Sequence, residues 1–348
     1  MTSPYTTLTI SAIRDETPGT KSFVLEAPAG VALSYQAGQY LTLVHIRHGQ
    51  QVRRSYSISS APALREPLTI TVKRVDNGVL SRLLIDQAQV GDELQTLGAA
   101  GFFTLPENIQ DYRQLILLAA GSGITPLYAL LKTGLHEQPH LRVLLVYSNR
   151  NAATTIFRTE LEQLARLFPE QLHLEMIYST NPNLARAHLH KDLLKTLVAE
   201  HAPGPAAQTL AYLCGPLNYM RMGTYGLHEA GLPLSHIRRE LFNTATATVP
   251  HSVPPNIEAH TVVIRLRGTA YTLSVQYPQT ILQAARRQGL ILPYSCEAGQ
   301  CGNCAARCTK GTVWMANNEV LTDRETTRGL VLTCTGYPVG DDVELEIG

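Results

Sequence analysis

Cys296-Glu297-Ala298-Gly299-Gln300-Cys301-Gly302-Asn303-Cys304, answered by a single distant Cys334, organises the reading of the whole chain. The Cys-x4-Cys-x2-Cys loop with one remote cysteine is the plant-type spacing at which thiolates hold a two-iron, two-sulfur cluster. Iron in such a cluster is tetrahedral and prefers thiolate, so four cysteines must converge on one small volume. Gly299 and Gly302 allow the positive φ angles that wrap a backbone closely around an inorganic core, with amides turned toward sulfur. A structural zinc site, buried thiols and disulfides are the alternatives. Zinc usually takes two short cysteine pairs, not a three-cysteine loop with one distant partner. Cys308 partly imitates a bacterial ferredoxin run, but Thr309 stands where that run has proline. Cys308 is therefore read as a non-ligand on the strand leaving the loop, and Cys214 as part of another site.

Composition agrees with electron transfer and excludes other classes. A chain of 348 residues with 44% hydrophobic content has room for two or three cored domains. Its formal net charge of +1, without a basic patch, speaks against nucleic acid as a partner. The N-terminal residues show no charged region followed by a long apolar stretch, and the run Leu115 to Ala120 is too short to span a bilayer. No membrane association and a cytoplasmic location are expected. In a reducing compartment six cysteines argue for metal or catalytic use over disulfides.

Upstream of the cysteine loop, His260 to Arg267 and Tyr271 to Val275 read as strands. A helix follows from about Ile281, with Thr280 and Gln283 spaced as a capping box. Thr248 to Asn256 holds three prolines in nine residues and reads as a semi-rigid linker. Before it, Gln114 to Ala120, Leu141 to Tyr147, Leu172 to Tyr178 and Thr209 to Cys214 are apolar strand-like runs alternating with amphipathic segments, the pattern of a parallel α/β domain. Tyr5 to Ile13, Lys21 to Glu26, Tyr40 to Ile46 and Leu68 to Val75 alternate in the manner of an antiparallel β barrel. The expected domains are 1–104, 105–245 and 258–348, with 246–257 as linker.

Two further motifs carry chemistry. In Arg54-Ser55-Tyr56-Ser57, Arg54 and Tyr56 share a strand face and could supply a cation for a pyrophosphate and an aromatic surface for an isoalloxazine. An ordinary strand with an exposed Arg and a half-buried Tyr would read the same way. Gly78-Val79-Leu80-Ser81 then opens a helical segment, Leu80 to Asp86, whose first amides could hold more of the pyrophosphate. In the second domain Gly121-Ser122-Gly123-Ile124-Thr125-Pro126 leads into a helix from Pro126 to Leu131, with glycines for close approach to phosphate and Thr125 as N-cap. Pro126 occupies the place of the third Rossmann glycine, so this is a different nucleotide turn. Cys214-Gly215-Pro216 ends a strand on the carboxyl edge of the sheet, where α/β folds bind ligands.

In this order the motifs resemble the ferredoxin-NADP reductase superfamily, specifically oxygenase reductases that end in a plant-type ferredoxin domain, such as those of the phenylacetyl-CoA epoxidase type. The resemblance spans residues 5 to 347. It implies an FAD-binding barrel, an NAD(P)-binding parallel sheet and an α+β β-grasp ferredoxin domain. It also implies a flow of electrons from nicotinamide through FAD and a 2Fe-2S cluster to an oxygenase or hydroxylase component. The cluster would be held by Cys296, Cys301, Cys304 and Cys334. Residues carried over for flavin are Arg54, Tyr56, Ser57, Gly78, Leu80 and Ser81. Those for nucleotide are Gly121, Gly123, Thr125, Cys214 and Gly215. Ser57 would sit near the flavin's reactive nitrogen and Cys214 beside the nicotinamide. Phe242, in Glu240-Leu241-Phe242, would lie near the flavin or fill the interdomain core. Ser148-Asn149-Arg150 ends the second strand, and Arg150 there points to NADPH, with NADH left open. Arg158 could join it or pair with Glu160 or Glu162 instead. A stand-alone NAD(P)H:acceptor reductase and a non-turnover redox sensor are the competing readings.

Overall fold

The computed structural model describes residues 5–47, 49–242 and 253–347. The chain divides into two compact units, 1–242 and 243–348. The first unit opens with β1 (Thr6–Thr17), β2 (Thr20–Glu26), β3 (Tyr40–Arg47), β4 (Gln50–Ser57), β5 (Thr69–Lys73) and β6 (Glu93–Ala100), hydrogen-bonded in the order β4-β3-β6-β1-β2-β5. Every pairing is antiparallel, and a bridge from Ile58 to Ile70 returns the end of β4 to β5, closing the barrel. Leu8, Ile10, Phe23, Leu41, Leu43, Ile70 and Val72 fill it, and α1 (Val79–Asp86) adds Leu80, Leu84 and Ile85 to the same core. β1 runs past the expected Ile13 to Thr17. Its charged end, Arg14 to Glu16, lacks the apolar alternation yet continues the pairing with β2, with one register irregularity between Asp15 and Thr17.

The parallel sheet follows: β7 (Gln114–Ala120), β8 (Arg142–Asn149), β9 (Leu172–Tyr178), β10 (Thr209–Cys214) and β11 (Ile237–Glu240), in the order β11-β10-β7-β8-β9. The central strands β10, β7 and β8 are almost continuously apolar because helices cover both faces, whereas the edge strands β9 and β11 carry charged residues. Leu115, Leu117, Leu145 and Tyr212 face one core, with α2 (Ile124–Glu137) and α3 (Arg158–Leu167). Ile116, Leu118, Leu144 and Leu213 face the other, with α5 (Lys191–His201) and α6 (Leu217–Glu229), while α4 (Leu184–Ala187) is a single turn after β9.

The nucleotide turn departs from expectation. Thr125 is not the N-cap: a tight 3-10 turn at Gly121–Gly123 runs directly into α2, Gly123 takes the cap position, and the Thr125 hydroxyl donates back to the Ser122 carbonyl at 3.0 Å. Pro126 is thus third in the helix, still within the first turn, where its missing N–H costs no bond. The helix also outruns Leu131, ending at Glu137.

The second unit holds β12 (His260–Leu266), β13 (Thr269–Val275), α7 (Ile281–Arg287), β14 (Ala305–Met315), α8 (Asp323–Thr327), β15 (Leu330–Leu332) and β16 (Gly336–Ile347). Their order is β13-β12-β16-β14-β15, with β12 and β16 parallel and the other pairs antiparallel, a β-grasp sheet. Arg267 and Gly268, at φ 49° and 81°, turn the β12–β13 hairpin. The expected capping box forms, Thr280 accepting from the Gln283 amide and Gln283 from that of Thr280. Residues 246–252 of the expected linker lie outside the described residues. No helix among the described residues is long and apolar enough to cross a membrane.

Candidate functional site

On β4, Arg54 is exposed and Tyr56 half-buried, cross-strand from Leu43 and Leu41 respectively, so the two share one face. Burial pushes the Tyr56 phenol pKa up, and nearby Arg54 pulls it back. At the start of α1 no side chain caps the helix. Ser81 is buried and its hydroxyl is taken by its own turn, accepting from the Val75 amide at 3.2 Å and meeting the Gly78 carbonyl at 3.5 Å. A Cβ on Gly78 would fall 2.3 Å from that hydroxyl oxygen, which explains the glycine. Leu80 belongs to the barrel core, so its backbone alone faces the turn. It also lines a cavity of about 600 Å³ beneath α1, walled by Leu43, His45, Leu83 and Leu94. An exposed cation, a half-buried ring on the same face and a helix start without a side-chain cap suit a flavin dinucleotide.

The nucleotide turn is shaped from two sides. Gly121 adopts φ +55°, and its carbonyl accepts from the buried Tyr147 hydroxyl at 2.9 Å. A Cβ there would stand 3.8 Å from Lys73 Nζ, so a barrel lysine is held at the glycine turn. Lys73 escaped sequence reasoning, because nothing local ties β5 to residue 121. Gly123 also has a packing reason to be glycine. A Cβ on it would overlap the Cys214 carbonyl oxygen at 2.1 Å, so the missing side chain lets α2 close on the end of β10. Gly215 likewise would strike the Ala120 side chain at 2.9 Å. A cation beside a helix start that no side chain caps fits a nucleotide pyrophosphate.

Between these two sites the barrel and sheet meet. Ser57 is 4% exposed, and its hydroxyl donates at 3.1 Å to Glu240 on β11. Glu240 pairs in register with Cys214, which is fully buried. Protein around the Glu240 carboxyl pushes its pKa up to about 8, and the Ser57 bond only partly offsets this. Burial, reinforced by Glu240, keeps Cys214 a neutral thiol. Sequence reasoning gives Glu240 no role; recognising Ile237–Glu240 as a strand beside β10 would have placed it. Phe242 is 44% exposed and does not fill an interdomain core. Arg150 is exposed, and its carbonyl accepts from the Thr180 amide at 3.2 Å, anchoring the turn after β9. Arg158 pairs with Glu162 at 2.8 Å and is thereby occupied.

In the second unit Cys296, Cys301, Cys304 and Cys334 are brought together. The four thiols lie close enough to shift one another's proton affinity, Cys296 being influenced by Cys301 and Cys334, and Cys334 by Cys304. The neighbouring Cys301 thiol, then that of Cys334, pulls Cys296 down, while Cys301 and Cys334 are pushed up. Backbone amides of Ala298 and Asn303 point at the Cys296 and Cys301 sulfurs at 3.4 and 3.5 Å. Glu297, Gly299 and Gly302 adopt positive φ, and a Cβ on Gly299 would lie 2.5 Å from the Asn317 carbonyl oxygen. Asn317 in turn donates to the Ala298 carbonyl at 2.7 Å. Among the described residues no three His, Cys, Asp or Glu groups converge on a single ion. A four-cysteine set with backbone amides turned toward sulfur suits a two-iron cluster, which those thiolates would hold. Cys308 stands apart on β14, its thiol directed at the Lys310 carbonyl at 3.3 Å.

Comparison with known proteins agrees with this division. The oxidoreductase FAD-binding domain family matches residues 7–105, the oxidoreductase NAD-binding domain family 117–224, and the 2Fe-2S iron-sulfur cluster binding domain family 264–339. The chain is 33% identical to the 3-ketosteroid-9-alpha-monooxygenase ferredoxin reductase component of Rhodococcus rhodochrous, over 97% of this chain and 96% of that protein. It is 30% identical to one of the subunits of the Escherichia coli (strain K12) 1,2-phenylacetyl-CoA epoxidase, over 98% and 97%. Phthalate dioxygenase reductase shares the fold, with a TM-score of 0.60 at 24% identity, covering 99% of this chain and 100% of that one.

Proposed function

This chain belongs to the family of flavin and iron-sulfur reductase components of oxygenases, and from that premise we propose that it takes electrons from NAD(P)H and delivers them singly to a separate oxygenase component. The observation that carries the reading is the pairing, on one chain, of the Ser57–Glu240–Cys214 junction with a four-cysteine loop whose amides face sulfur. Bound FAD accepts a hydride, two electrons at once, and a 2Fe-2S cluster passes electrons on one at a time.

The chain's own residues do the positioning. Arg54 offers charge to the flavin pyrophosphate and Tyr56 a surface to its ring. Lys73 and the turn at Gly121 hold the nucleotide phosphates. Gly123 draws the start of α2 against Cys214, which shapes the nicotinamide side of the junction. The Glu240 carboxyl, with its pKa raised to about 8, favours the protonated form at neutral pH next to the Ser57 hydroxyl, which limits the negative charge facing the nicotinamide. Phe242 offers an exposed ring at the end of this segment. Cys296, Cys301, Cys304 and Cys334 hold the cluster. Arg150 favours NADPH. The acceptor is an oxygenase of the kind served by the relatives, in our reading a phenylacetyl-CoA epoxidase-like enzyme, and the reducing cytoplasm is where its thiols would persist.

The test separates electron entry from exit. Cys334→Ser, lacking the cluster, should still reduce ferricyanide with NAD(P)H while failing with cytochrome c and with the oxygenase. Equal loss of all three activities would show that the cluster is not a downstream relay.

A further inference from the structure

Within the first unit, charged side chains of the barrel meet those of the parallel sheet in one network. Lys132 on α2 is 6% exposed, and its ammonium pairs with the Glu66 carboxylate of the loop after β4. Glu66 also accepts the Ala61 amide at 2.7 Å, and Ala61 lies four residues beyond Ser57. The ammonium sits 4.2 Å from the Tyr128 ring, itself stacked on Phe157 at 4.4 Å. Beside them Arg14 of β1 bridges Glu16 at 2.7 Å and Glu160 of α3 at 3.6 Å. Burial draws the Lys132 pKa down and Glu66 draws it back.

With Lys132 buried and Glu66 32% exposed, the ion pair is only partly desolvated and is a weak device for stability, because well-packed apolar side chains of similar volume do as well or better. Its value is geometric. Lys132 and the nucleotide turn at Gly123 lie on one rigid helix, roughly 13 Å apart at the helical rise, while Glu66 is tied through Ala61 to the strand end that carries Ser57. Helix and strand end must hold their register if nicotinamide is to meet flavin, and a displacement of about 1 Å in such geometry costs on the order of a hundredfold in rate. We propose that the Lys132–Glu66 pair is a positioning device for hydride transfer, locking the nucleotide-binding helix to the flavin-binding strand.

This inference rests on the hydride-transfer reading above. The experiment is stopped-flow reduction of the FAD-loaded full chain by NAD(P)H, run beside thermal unfolding. Glu66→Gln alone strands the buried Lys132 ammonium and Lys132→Met alone leaves the half-buried Glu66 carboxylate without its cation, so each lowers Tm, the first more; together they should recover most of it. The double variant is nevertheless expected to lose at least about tenfold in flavin reduction at saturating nucleotide, with nucleotide Kd changed by no more than about threefold. Lys132→Arg, which keeps the charge, should retain most of the rate. A double variant that reduces its flavin at the wild-type rate overturns the proposal. So does one whose loss lies entirely in Kd, or one that fails to fold while Lys132→Arg behaves as wild type in neither rate nor Tm. Wild-type flavin that neither nucleotide reduces would refute the hydride-transfer reading itself; normal wild-type reduction with an equally fast double variant removes only the positioning role.

Discussion

The Ser57 hydroxyl donates a 3.1 Å hydrogen bond to the Glu240 carboxyl, joining positions 183 residues apart at the junction of barrel and parallel sheet. The bond places a titratable group with a neutral-range pKa where flavin and nicotinamide are proposed to meet. It also makes that junction sensitive to pH.

The sign follows from the direction of the shift. Glu240 is raised from 4.5 to about 8, so the folded chain keeps a proton that the unfolded chain releases. Its contribution to stability is full below about 4.5 and is lost as pH rises through about 8. The slope is at most about 1.4 kcal/mol per pH unit. Glu229, held near 2 by its hydrogen bonds from Lys191 and Lys195, titrates on the acid side of this window. Urea unfolding of the holoprotein across the window should show stability falling with pH, and Glu240→Gln should flatten that fall. An unchanged slope in Glu240→Gln would place the proton elsewhere.

The two glycines of the nucleotide turn should differ in what they tolerate. At Gly123 a methyl group would sit 2.1 Å from the backbone oxygen of Cys214, which has no flexible end to move aside. At Gly121 a methyl group would meet only the flexible end of Lys73, at an ordinary 3.8 Å, and the cost is that of a positive φ, about 1–2 kcal/mol. Gly123→Ala should therefore lower Tm more than Gly121→Ala, and it should lose NAD(P)H-driven flavin reduction while keeping FAD. A larger Tm loss in Gly121→Ala would contradict this packing.

What was legible in the sequence follows from where each signal lies. β1, β2, β3 and β5 of the barrel announce themselves by alternation, whereas β6, Glu93–Ala100, with its Gly98-Ala-Ala end, does not, and β7, β8 and β10 show the continuous apolar runs that two covered faces demand. β11 has four residues, Ile-Arg-Arg-Glu, with no apolar run, so neither it nor the half-buried acid at its end stood out. Thr125 looked like a cap because Gly121 to Gly123 read as an open loop, whereas that segment is already helical. Glu240's proton, the approach of Lys73 to Gly121 and the Lys132–Glu66 pair all arise from contacts between distant segments, which no local pattern encodes.

Iron content should sort the cysteines into two classes. Replacing Cys296, Cys301, Cys304 or Cys334 by Ser removes one member of a contiguous thiol set and should abolish the broad visible absorption of the cluster, with iron falling from about two per chain. Cys308 lies on β14 with its thiol directed at a carbonyl, so Cys308→Ser should keep its iron. Loss of iron in Cys308→Ser with retention in Cys334→Ser would reverse the ligand assignment.

Nucleotide choice rests on Arg150. Its backbone is fixed, since the carbonyl accepts from the Thr180 amide and from the Ser179 and Thr180 hydroxyls, while the residue stays exposed at the carboxyl end of β8. Arg158, the other cation nearby, is committed to Glu162. If Arg150 meets a 2′-phosphate, Arg150→Ala removes a charge-assisted contact worth roughly 1.5–3 kcal/mol, or on the order of ten- to a hundredfold in kcat/KM. That loss should fall on NADPH and spare NADH. A change that loosened the domain would impair both nucleotides, and one at an idle surface charge would alter neither, so the asymmetry itself is diagnostic. Measuring kcat/KM for both nucleotides in wild type and in Arg150→Ala decides the matter, and a wild-type preference for NADH without selective loss of NADPH activity would reassign Arg150 to the surface.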